Sequence, residues 1–419
     1  MNIKLLKLSL PVLIILAGCW FYATKTGIFL DRDALIAEAS ALVEAGELEA
    51  AEETVKPLLN LWDVPDELWL FVGNINRIEG DFASALVYLG EISKVSPKIY
   101  AEALLFRAEA NMRLGHLSAA RDLFAESLAD NNRQPDVRRR LVFVLNLAGL
   151  IRESLPEMLT LVNSGQADLE LLLLLCDMST PSRNDELISA GLDAFPQDPL
   201  VHLAEGLVQE TQQNDRAALQ QYQLALDINP ELSAAWTKGF ATAIRLKNRE
   251  TIRKLLSQQP TDVENISDYW ITKGEICRRN QKVGAAARCF QKAAIIAPDQ
   301  IQAHYQLSQM LRELGRSEDA ELVAHWANDL SHLSSLSRSI NKDTPDVAGI
   351  LKIGDQLLKL NRVNEAWSWA ILAIQVDPGS EEAAQTYAKL DQLRDRSNPI
   401  SFSPGPAAKI DLSDVSIPE

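Results

Sequence analysis

The chain has 419 residues, 47% of them hydrophobic, and a formal net charge of −16. This excess of carboxylates argues against nucleic acid as a partner, because phosphates require a basic footprint. The cysteines beyond residue 30, Cys176, Cys277 and Cys289, form no CxxC pair. We therefore expect buried thiols that act as small hydrophobic side chains, and not a disulfide framework.

Residues 1–30 begin with Lys4 and Lys7 and continue as an uncharged stretch, which predicts an export or anchoring segment. Two interpretations remain open. The run Leu16-Ala17-Gly18-Cys19 resembles a bacterial lipobox, after which Cys19 would carry the lipid. The aromatic run Trp20-Phe21-Tyr22 instead suits the edge of a single-pass membrane helix. In both cases we expect a membrane tether, with the remaining chain exported to the periplasm or the cell exterior.

From residue 31 onward the dominant feature is a repeat of about 34 residues. Small residues and terminal prolines align ten copies, which start near Arg32, Asp66, Ala101, Pro135, Asp168, Pro199, Ser233, Ser267, Ile301 and Val347. Units of this kind bury their apolar faces against their neighbours along the stack and share one continuous core. The pattern therefore predicts a solenoid over residues 31–396, without a second domain.

Each copy has the apolar spacing of two helices. In the eighth copy, Trp270, Gly274 and Cys277 fall on one helical face, and Ala286 and Phe290 fall on one face of the next helix. Gly274 and Ala286 are small, so the two helix axes can approach closely while the aromatic side chains interlock. We therefore expect both residues to be packing residues.

These signatures resemble the tetratricopeptide repeat. The clearest copies read Trp69-Gly73-Ala85-Pro97, His202-Gly206-Ala218-Tyr222-Ala225-Pro230 and Trp270-Gly274-Ala286-Phe290-Ala293-Pro298. The resemblance covers roughly residues 32–380. It implies an all-α fold, a right-handed superhelical solenoid of about ten helical pairs, and we expect a C-terminal capping helix at residues 381–394 to close it.

Several regions depart from the pattern, among them the copy from Ser233, where the spacing of Trp236 and Gly239 is shifted by one residue. The copy from Asp168 lacks a turn glycine and has Leu187 where alanine is expected. The last step between copies is longer than the others, which predicts an inserted polar loop or bend within residues 334–346. Residues 397–419 contain four prolines and no apolar periodicity, so we predict a disordered tail.

No motif of a known catalytic site is present, and the carboxylates are spread along helix surfaces. We therefore predict no enzyme activity, no catalytic residue, no cofactor and no small-molecule substrate. The spacing of His325, Asp329 and His332 would place three ligands on one helical face, as a zinc site could use. A solvated helix end explains the same spacing, and we predict no metal site.

In tetratricopeptide repeats the first helix of each pair lines a concave groove, with positions 2, 5, 9 and 12 commonly facing the ligand. The resemblance therefore implies a groove with an apolar strip at position 5, formed by Leu70, Leu105, Leu203 and Ile271. Arginines also recur on this helix. We predict a protein-binding set comprising Asn74, Arg77, Arg113, Arg139, Arg278 and Arg312.

Guanidinium groups suit the carboxylates of an acidic or extended peptide segment. The competing explanation is that these arginines only complement the helix C-termini. Together these features predict a non-catalytic, membrane-tethered scaffold or adaptor for other envelope proteins, similar to bacterial tetratricopeptide lipoproteins. The alternative is a permanent accessory subunit of a membrane enzyme or of a secretion or assembly complex.

Overall fold

The computed structural model describes residues 31–61, 63–131, 133–179, 183–394, 402 and 404–413. The predicted anchoring segment, Cys19 included, lies outside these residues. Within them no helix is both long and apolar enough to cross a membrane. The chain forms two compact units, Met1–Asp130 and Asn131–Glu419.

All regular elements of the described residues are helices. Those of the first unit are α1 (Arg32–Glu44), α2 (Leu48–Val55), α3 (Asp66–Glu79), α4 (Phe82–Gly90), α5 (Pro97–Leu114) and α6 (Leu117–Asp130). Those of the second unit are α7 (Pro135–Leu147), α8 (Leu155–Asn163), α9 (Leu169–Cys176), α10 (Asp185–Ala194), α11 (Pro199–Thr211), α12 (Asp215–Ile228), α13 (Ser233–Arg245), α14 (Arg249–Ser257), α15 (Ser267–Arg279), α16 (Val283–Ile296), α17 (Ile301–Glu313), α18 (Ser317–Ser339), α19 (Val347–Lys359), α20 (Val363–Val376) and α21 (Glu381–Leu393).

The helices follow one another in pairs, α1 with α2 through α19 with α20, and we refer to the first and second helix of each pair as the A and B helix. One pair is open, because α9 packs on α8, α18 and α20 and hardly touches α10. The A helices begin within one residue of the predicted starts, except that α5 begins at Pro97 and not near Ala101. The described chain therefore confirms the all-α repeat fold. It also contains the capping helix α21, whose Ala383 and Leu390 are buried.

Local sequence explains where many of the helices begin and end. Proline occupies the first position of α5, α7 and α11, where no amide donor is needed. Asn248 caps α14 by accepting a 3.1 Å hydrogen bond from the Thr251 amide. Gly80 ends α3 in a left-handed conformation, with φ 87°, that glycine adopts without strain.

The repeat glycines lie where the A and B helices of a pair touch. A Cβ atom on Gly274 would lie 2.7 Å from Phe290 Cε1, and one on Gly206 would lie 2.3 Å from Tyr222 Cε1. Ala286 is completely buried. The prediction that Gly274 and Ala286 are packing residues is therefore confirmed.

Replacing Gly274 with leucine should destabilise the protein by about 1–3 kcal/mol, because the added side chain must displace the Phe290 ring from a filled core. Urea denaturation followed by circular dichroism measures this free energy of unfolding. Gly90 provides the matched control, since no atom lies within 4 Å of a Cβ placed there. An equal loss of stability in Gly90→Leu and Gly274→Leu would contradict the assignment.

The second unit closes on itself. The side chain of Ser368, on α20, donates a 2.8 Å hydrogen bond to the carbonyl oxygen of Val162, on α8. Asp177, just after α9, accepts a 2.8 Å hydrogen bond from Ser334 and pairs with Arg338, both on α18. The first helices of this unit thus pack against its last ones, so the expectation that repeats contact only their neighbours is wrong here.

Helix α9 explains why this closure is favourable. Its sequence, Leu169-Glu170-Leu171-Leu172-Leu173-Leu174-Leu175-Cys176, has hardly any polar face. A helix that is apolar nearly all round needs protein on several sides. Leu171, Leu172, Leu175 and Cys176 belong to one core cluster together with residues of α18, α19 and α20.

Residues 340–346 form the loop or bend predicted within residues 334–346, whereas residues 334–339 of the insertion lengthen α18. This helix runs for 23 residues and ends at Ser339. Leu330 and Leu333 are buried in the core cluster that contains α9. The extra turns are therefore held by apolar contacts and by the Asp177 bonds, which local sequence polarity does not reveal.

The end of the chain also differs from the disordered tail expected for residues 397–419. Residues 404–413 pack on the B helices α16 and α18, with a short 3-10 helix at Pro406–Lys409. Ala407, Ile410 and Leu412 are buried. Three apolar side chains spaced along a proline-rich segment suffice to dock it, although the spacing has no helical or strand period.

The three cysteines are free and buried, as expected. Burial raises the pKa of the Cys176 and Cys289 thiols to about 12. Both thiols are therefore protonated at neutral pH and act as small hydrophobic side chains.

Candidate functional site

The second unit surrounds a cavity of about 1240 Å³. Its wall is formed mainly by the A helices α11, α13, α15 and α17, and by residues 149–153 and 176–179. Counted from the start of each copy, positions 2, 5 and 9 recur in this wall. These are positions that the repeat resemblance predicted to face a groove, and closure of the unit converts that groove into a cavity.

Position 5 contributes to the apolar part of the wall. Leu203 and Ile271, two of the four residues predicted for this strip, lie in the wall but are almost completely buried. Tyr305 occupies position 5 of the next A helix and is 54% exposed, so its ring is available for contact inside the cavity. An aromatic ring with a polar tip on an aliphatic wall is suited to binding part of a protein chain.

A pair of opposite charges spans two adjacent A helices in the wall. Lys238 Nζ lies 2.8 Å from Asp268 Oδ2, and Asp268 Oδ1 accepts a 2.8 Å hydrogen bond from Gln300. The two charged side chains keep about a third of their surface accessible, because they face the cavity. Lys238 lowers the pKa of Asp268, and Asp268 raises the pKa of Lys238, so both remain charged at neutral pH.

A second pair joins distant parts of the sequence. Arg152, in the loop after α7, binds both carboxylate oxygens of Asp299 at 2.8 and 3.1 Å. Asp299 precedes α17, and its side chain is only 8% exposed. A bidentate pair of this kind fixes relative orientation as well as distance. It therefore ties the loop after α7 to the far side of the cavity.

The remaining basic side chains of the wall are paired as well. Arg245 lies 2.5 Å from Glu210 and 2.9 Å from Asp215, and Arg279 lies 3.7 Å from Glu275. Along the whole described wall, eight carboxylate side chains face four basic ones. The cavity is therefore apolar at position 5 and acidic in net charge.

Comparison with known families agrees with this geometry. Residues 77–170 match the sequence model of the tetratricopeptide repeat. This chain contains tetratricopeptide repeats. Its repeats form a scaffold for protein–protein interaction, the role to which this fold is suited. No curated protein matches the sequence significantly.

Solved repeat structures are similar only at low scores. Yeast Tom70 has 14% sequence identity and a TM-score of 0.28, and the match covers 88% of this chain and 97% of that chain. PilF of Pseudomonas aeruginosa has 16% identity and a TM-score of 0.30, over 62% of this chain and 99% of that chain. Similarities at this level establish neither a shared overall shape nor a shared function.

Two of the predicted binding arginines are held by contacts within the fold. Arg77 donates to Asn74 Oδ1 and to Glu109, and its guanidinium group lies 4.5 Å from the centre of the Phe106 ring. Arg139 is paired with Asp136 and donates to the carbonyl oxygen of Gln166. Asn74 thus positions Arg77.

The other three predicted arginines, Arg113, Arg278 and Arg312, are exposed and have no ion pair in the described part of the chain. Arg278 and Arg312, at position 12, do not line the cavity, whereas Arg245 and Arg279, at position 13, do. The structure therefore does not bring the predicted set together in one cavity. A binding role for these arginines stays a prediction.

The sequence analysis missed the charged groups that the cavity wall does contain. Asp268 occupies position 2 of its copy, and a search for side chains at the groove positions would have found it. Lys238 occupies position 6, between two groove positions. Arg152 lies in a loop outside the repeat register, and its partner Asp299 is 147 residues away, so no local signal points to that pair.

The spacing that could have suggested a zinc site has another explanation. Asp329 accepts two hydrogen bonds from the Gln356 amide, one through its backbone carbonyl and one through its side chain. His325 and His332 are exposed on α18. Within the described residues, no three potential metal ligands form a cluster.

Proposed function

We propose that this protein is a membrane-tethered scaffold whose second unit binds an extended segment of a partner protein in its central cavity. One observation carries the proposal: the groove positions of four consecutive A helices form the wall of a single cavity. Its volume of about 1240 Å³ exceeds the roughly 300–1,000 Å³ of small-molecule pockets. A stretch of polypeptide fits this volume better than a metabolite does.

The chemistry of the wall favours a particular kind of segment. Apolar side chains of the partner would pack against the exposed ring of Tyr305 and the partly exposed side chains of Leu207 and Ile276. The wall carries a net negative charge, and its basic side chains are already paired with carboxylates, so a lysine or arginine of the partner suits it better than an acidic residue does. This charge is opposite to that of the acidic segment predicted from the arginines. Within the second unit, an acidic segment would suit the exposed Arg278 and Arg312, which lie outside the cavity wall.

The tether rests on residues 1–30, whose basic start and uncharged stretch are typical of an export or anchoring segment. Tethering raises the effective concentration of the scaffold near other membrane-associated proteins. Export of the two units to the periplasm or cell exterior is part of the same proposal.

A photo-crosslinking residue placed at position 305 tests the cavity directly. We expect it to capture a partner in the membrane fraction, whereas the same residue at position 322 should not. Leu322 is the matched control because it is 50% exposed but lies on the B helix α18. Tyr305→Ala should then reduce partner binding at least ~10-fold, the loss of one buried aromatic anchor, with an unchanged melting temperature.

The same binding measurement distinguishes binding through the exposed arginines from binding in the cavity. If Arg278→Glu with Arg312→Glu abolishes partner binding while Tyr305→Ala does not, binding takes place outside the cavity and the proposal is wrong. If position 322 captures the partner as strongly as position 305 does, the B-helix surface is the interface. Recovery of the chain in the soluble fraction of wild-type cells would contradict the tether.

A further inference from the structure

The C-terminal segment crosses the B-helix side of the second unit, opposite the A helices that line the cavity. Phe402 lies against Arg362, with 4.3 Å between the guanidinium carbon and the ring centre. Gly405 packs against Trp326 of α18. Ala407 belongs to a core cluster with side chains of α16. The segment therefore runs back over the last three helical pairs.

The B helices recognise the backbone of this segment. Gln291, on α16, donates to the carbonyl oxygens of Ala407 and Ile410 at 3.0 and 2.6 Å. Arg316, immediately before α18, donates to the carbonyl oxygen of Asp411. Bonds to backbone carbonyls supply affinity without reading sequence, and this is how many grooves hold extended peptides.

Side chains supply the selectivity. Ala407, Ile410 and Leu412 are buried, whereas Ala408, Lys409 and Asp411 between them are exposed. Gly405 has φ 65°, and a Cβ atom there would lie 3.0 Å from Trp326 Cε2, so only glycine fits without strain. The groove thus accepts a glycine, then a small side chain two residues later. Larger aliphatic side chains follow five and seven residues after the glycine.

We propose that this B-helix groove, formed by Gln291, Arg316 and Trp326, is a second peptide-binding site and that residues 404–413 occupy it in cis. Its partner in trans is an extended protein segment with the same chemistry: Gly-Pro, then a small residue, then aliphatic residues three and five positions further on. The site is separate from the cavity and does not depend on its function.

The occupant can exchange because its attachment is limited. Three buried aliphatic side chains and the carbonyl bonds from Gln291 and Arg316 hold a segment whose only regular structure is one 3-10 turn, and such segments open locally more easily than helical pairs do. A tethered occupant has a high effective concentration, so it excludes weak competitors and yields only to a tighter segment. The tail therefore acts as a built-in competitor for the groove.

A labelled synthetic peptide with the sequence of residues 402–413 tests the proposal in the full-length chain. The variant Ile410→Asp with Leu412→Asp disables the cis tail and leaves every groove residue intact. We expect fluorescence anisotropy to show binding of the peptide to this variant at least ~10-fold tighter than to the wild type. Lys409→Ala, which changes an exposed tail residue, should behave like the wild type.

Adding Gln291→Ala to the tail-disabled chain should weaken peptide binding again, because two carbonyl bonds are lost. Circular dichroism checks that each variant keeps its helical content, and Leu412→Ser replaces the double substitution if that one unfolds the chain. Equal peptide binding by the wild type and the tail variant, or binding by neither, would overturn the proposal. A wild-type dimer that becomes a monomer in the tail variant would also overturn it, by assigning the groove to a second copy.

Discussion

Replacing Arg362 with methionine should destabilise the protein by about 3–5 kcal/mol, the cost of leaving one member of a buried ion pair alone. Arg362 and Glu365 are each only 4% exposed, and Arg362 Nε donates to Glu365 Oε1 at 2.7 Å. Arg362 also donates a 2.9 Å hydrogen bond to the carbonyl oxygen of Leu175, at the end of α9. The substitution therefore removes a contact that closes the second unit as well as a charge partner.

The pH dependence of this loss of stability tests the prediction a second time, through the protonation of Glu365. Burial raises the pKa of Glu365, while Arg362 lowers it. Without Arg362 that pKa rises further, so the variant should bind a proton at this site as the pH falls. A carboxyl group whose folded pKa lies above its unfolded value destabilises the folded state while it is charged. This destabilisation decreases once the pH falls below the folded pKa. The free energy of unfolding that Arg362→Met loses relative to the wild type should therefore be smaller at pH 5 than at pH 8.

Urea denaturation of three variants separates burial from charge. Arg279→Met removes one member of an exposed pair, with side chains 57% and 27% exposed, and should cost less than about 1 kcal/mol. Arg362→Met combined with Glu365→Leu should regain most of the lost stability, because an apolar pair leaves no buried charge. If Arg362→Met is as mild as Arg279→Met, the pair does not hold the closure together.

The helical pairs could be predicted from the sequence because their determinants are local. Gly274 and Phe290 are 16 residues apart and meet within one helical pair, so their spacing recurs in every well-preserved copy. Position 5 follows the same logic, and Leu203 and Ile271 do lie in the cavity wall. A periodic pattern thus reports both the fold and which side of each A helix faces inward.

The closure of the second unit could not be predicted from the repeat pattern of the sequence. The contacts that make it, such as Arg152 with Asp299 and Ser368 with Val162, join residues 147 and 206 positions apart. No repeat period relates such residues. Two local signals did exist: the unbroken leucines of α9, and the polar insertion that continues α18. Each indicates a helix that departs from neighbour-only packing, but neither identifies its partner.

The predicted arginines show why residue type and register alone do not define a site. Positions 12 and 13 are adjacent in sequence but lie about 100° apart around a helix. Arg279 therefore faces the cavity, whereas Arg278 does not. Arg77 was predicted as a ligand-binding residue, yet Glu109 and Asn74 already use its guanidinium group. A carboxylate elsewhere in the fold can occupy the same donors that a partner would need.

His304 should make the protein less stable as the pH falls from about 6.5 to 4. It is completely buried on α17, and its Nε2 lies 2.9 Å from the carbonyl oxygen of Pro298. Burial lowers its pKa to about 4. Because the unfolded chain binds a proton on this residue near pH 6.5 and the folded chain does not, stability falls through this window, by about 3 kcal/mol at 1.36 kcal/mol for each pH unit.

Free energies of unfolding measured in urea at pH 7 and pH 4.5 check this expectation. His304→Gln keeps an amide that can donate to the Pro298 carbonyl but removes the titration, so its stability should change less over this interval than that of the wild type. His325→Gln, on an exposed part of α18, is the control and should match the wild type. Lys238 lowers the pKa of Asp268, so Asp268 loses its stabilising pair with Lys238 only at lower pH. Its contribution is the same in all three proteins and cancels in the comparison. Parallel pH profiles for the wild type and His304→Gln would contradict the prediction, because they would show that the folded chain admits a charged imidazole at this position.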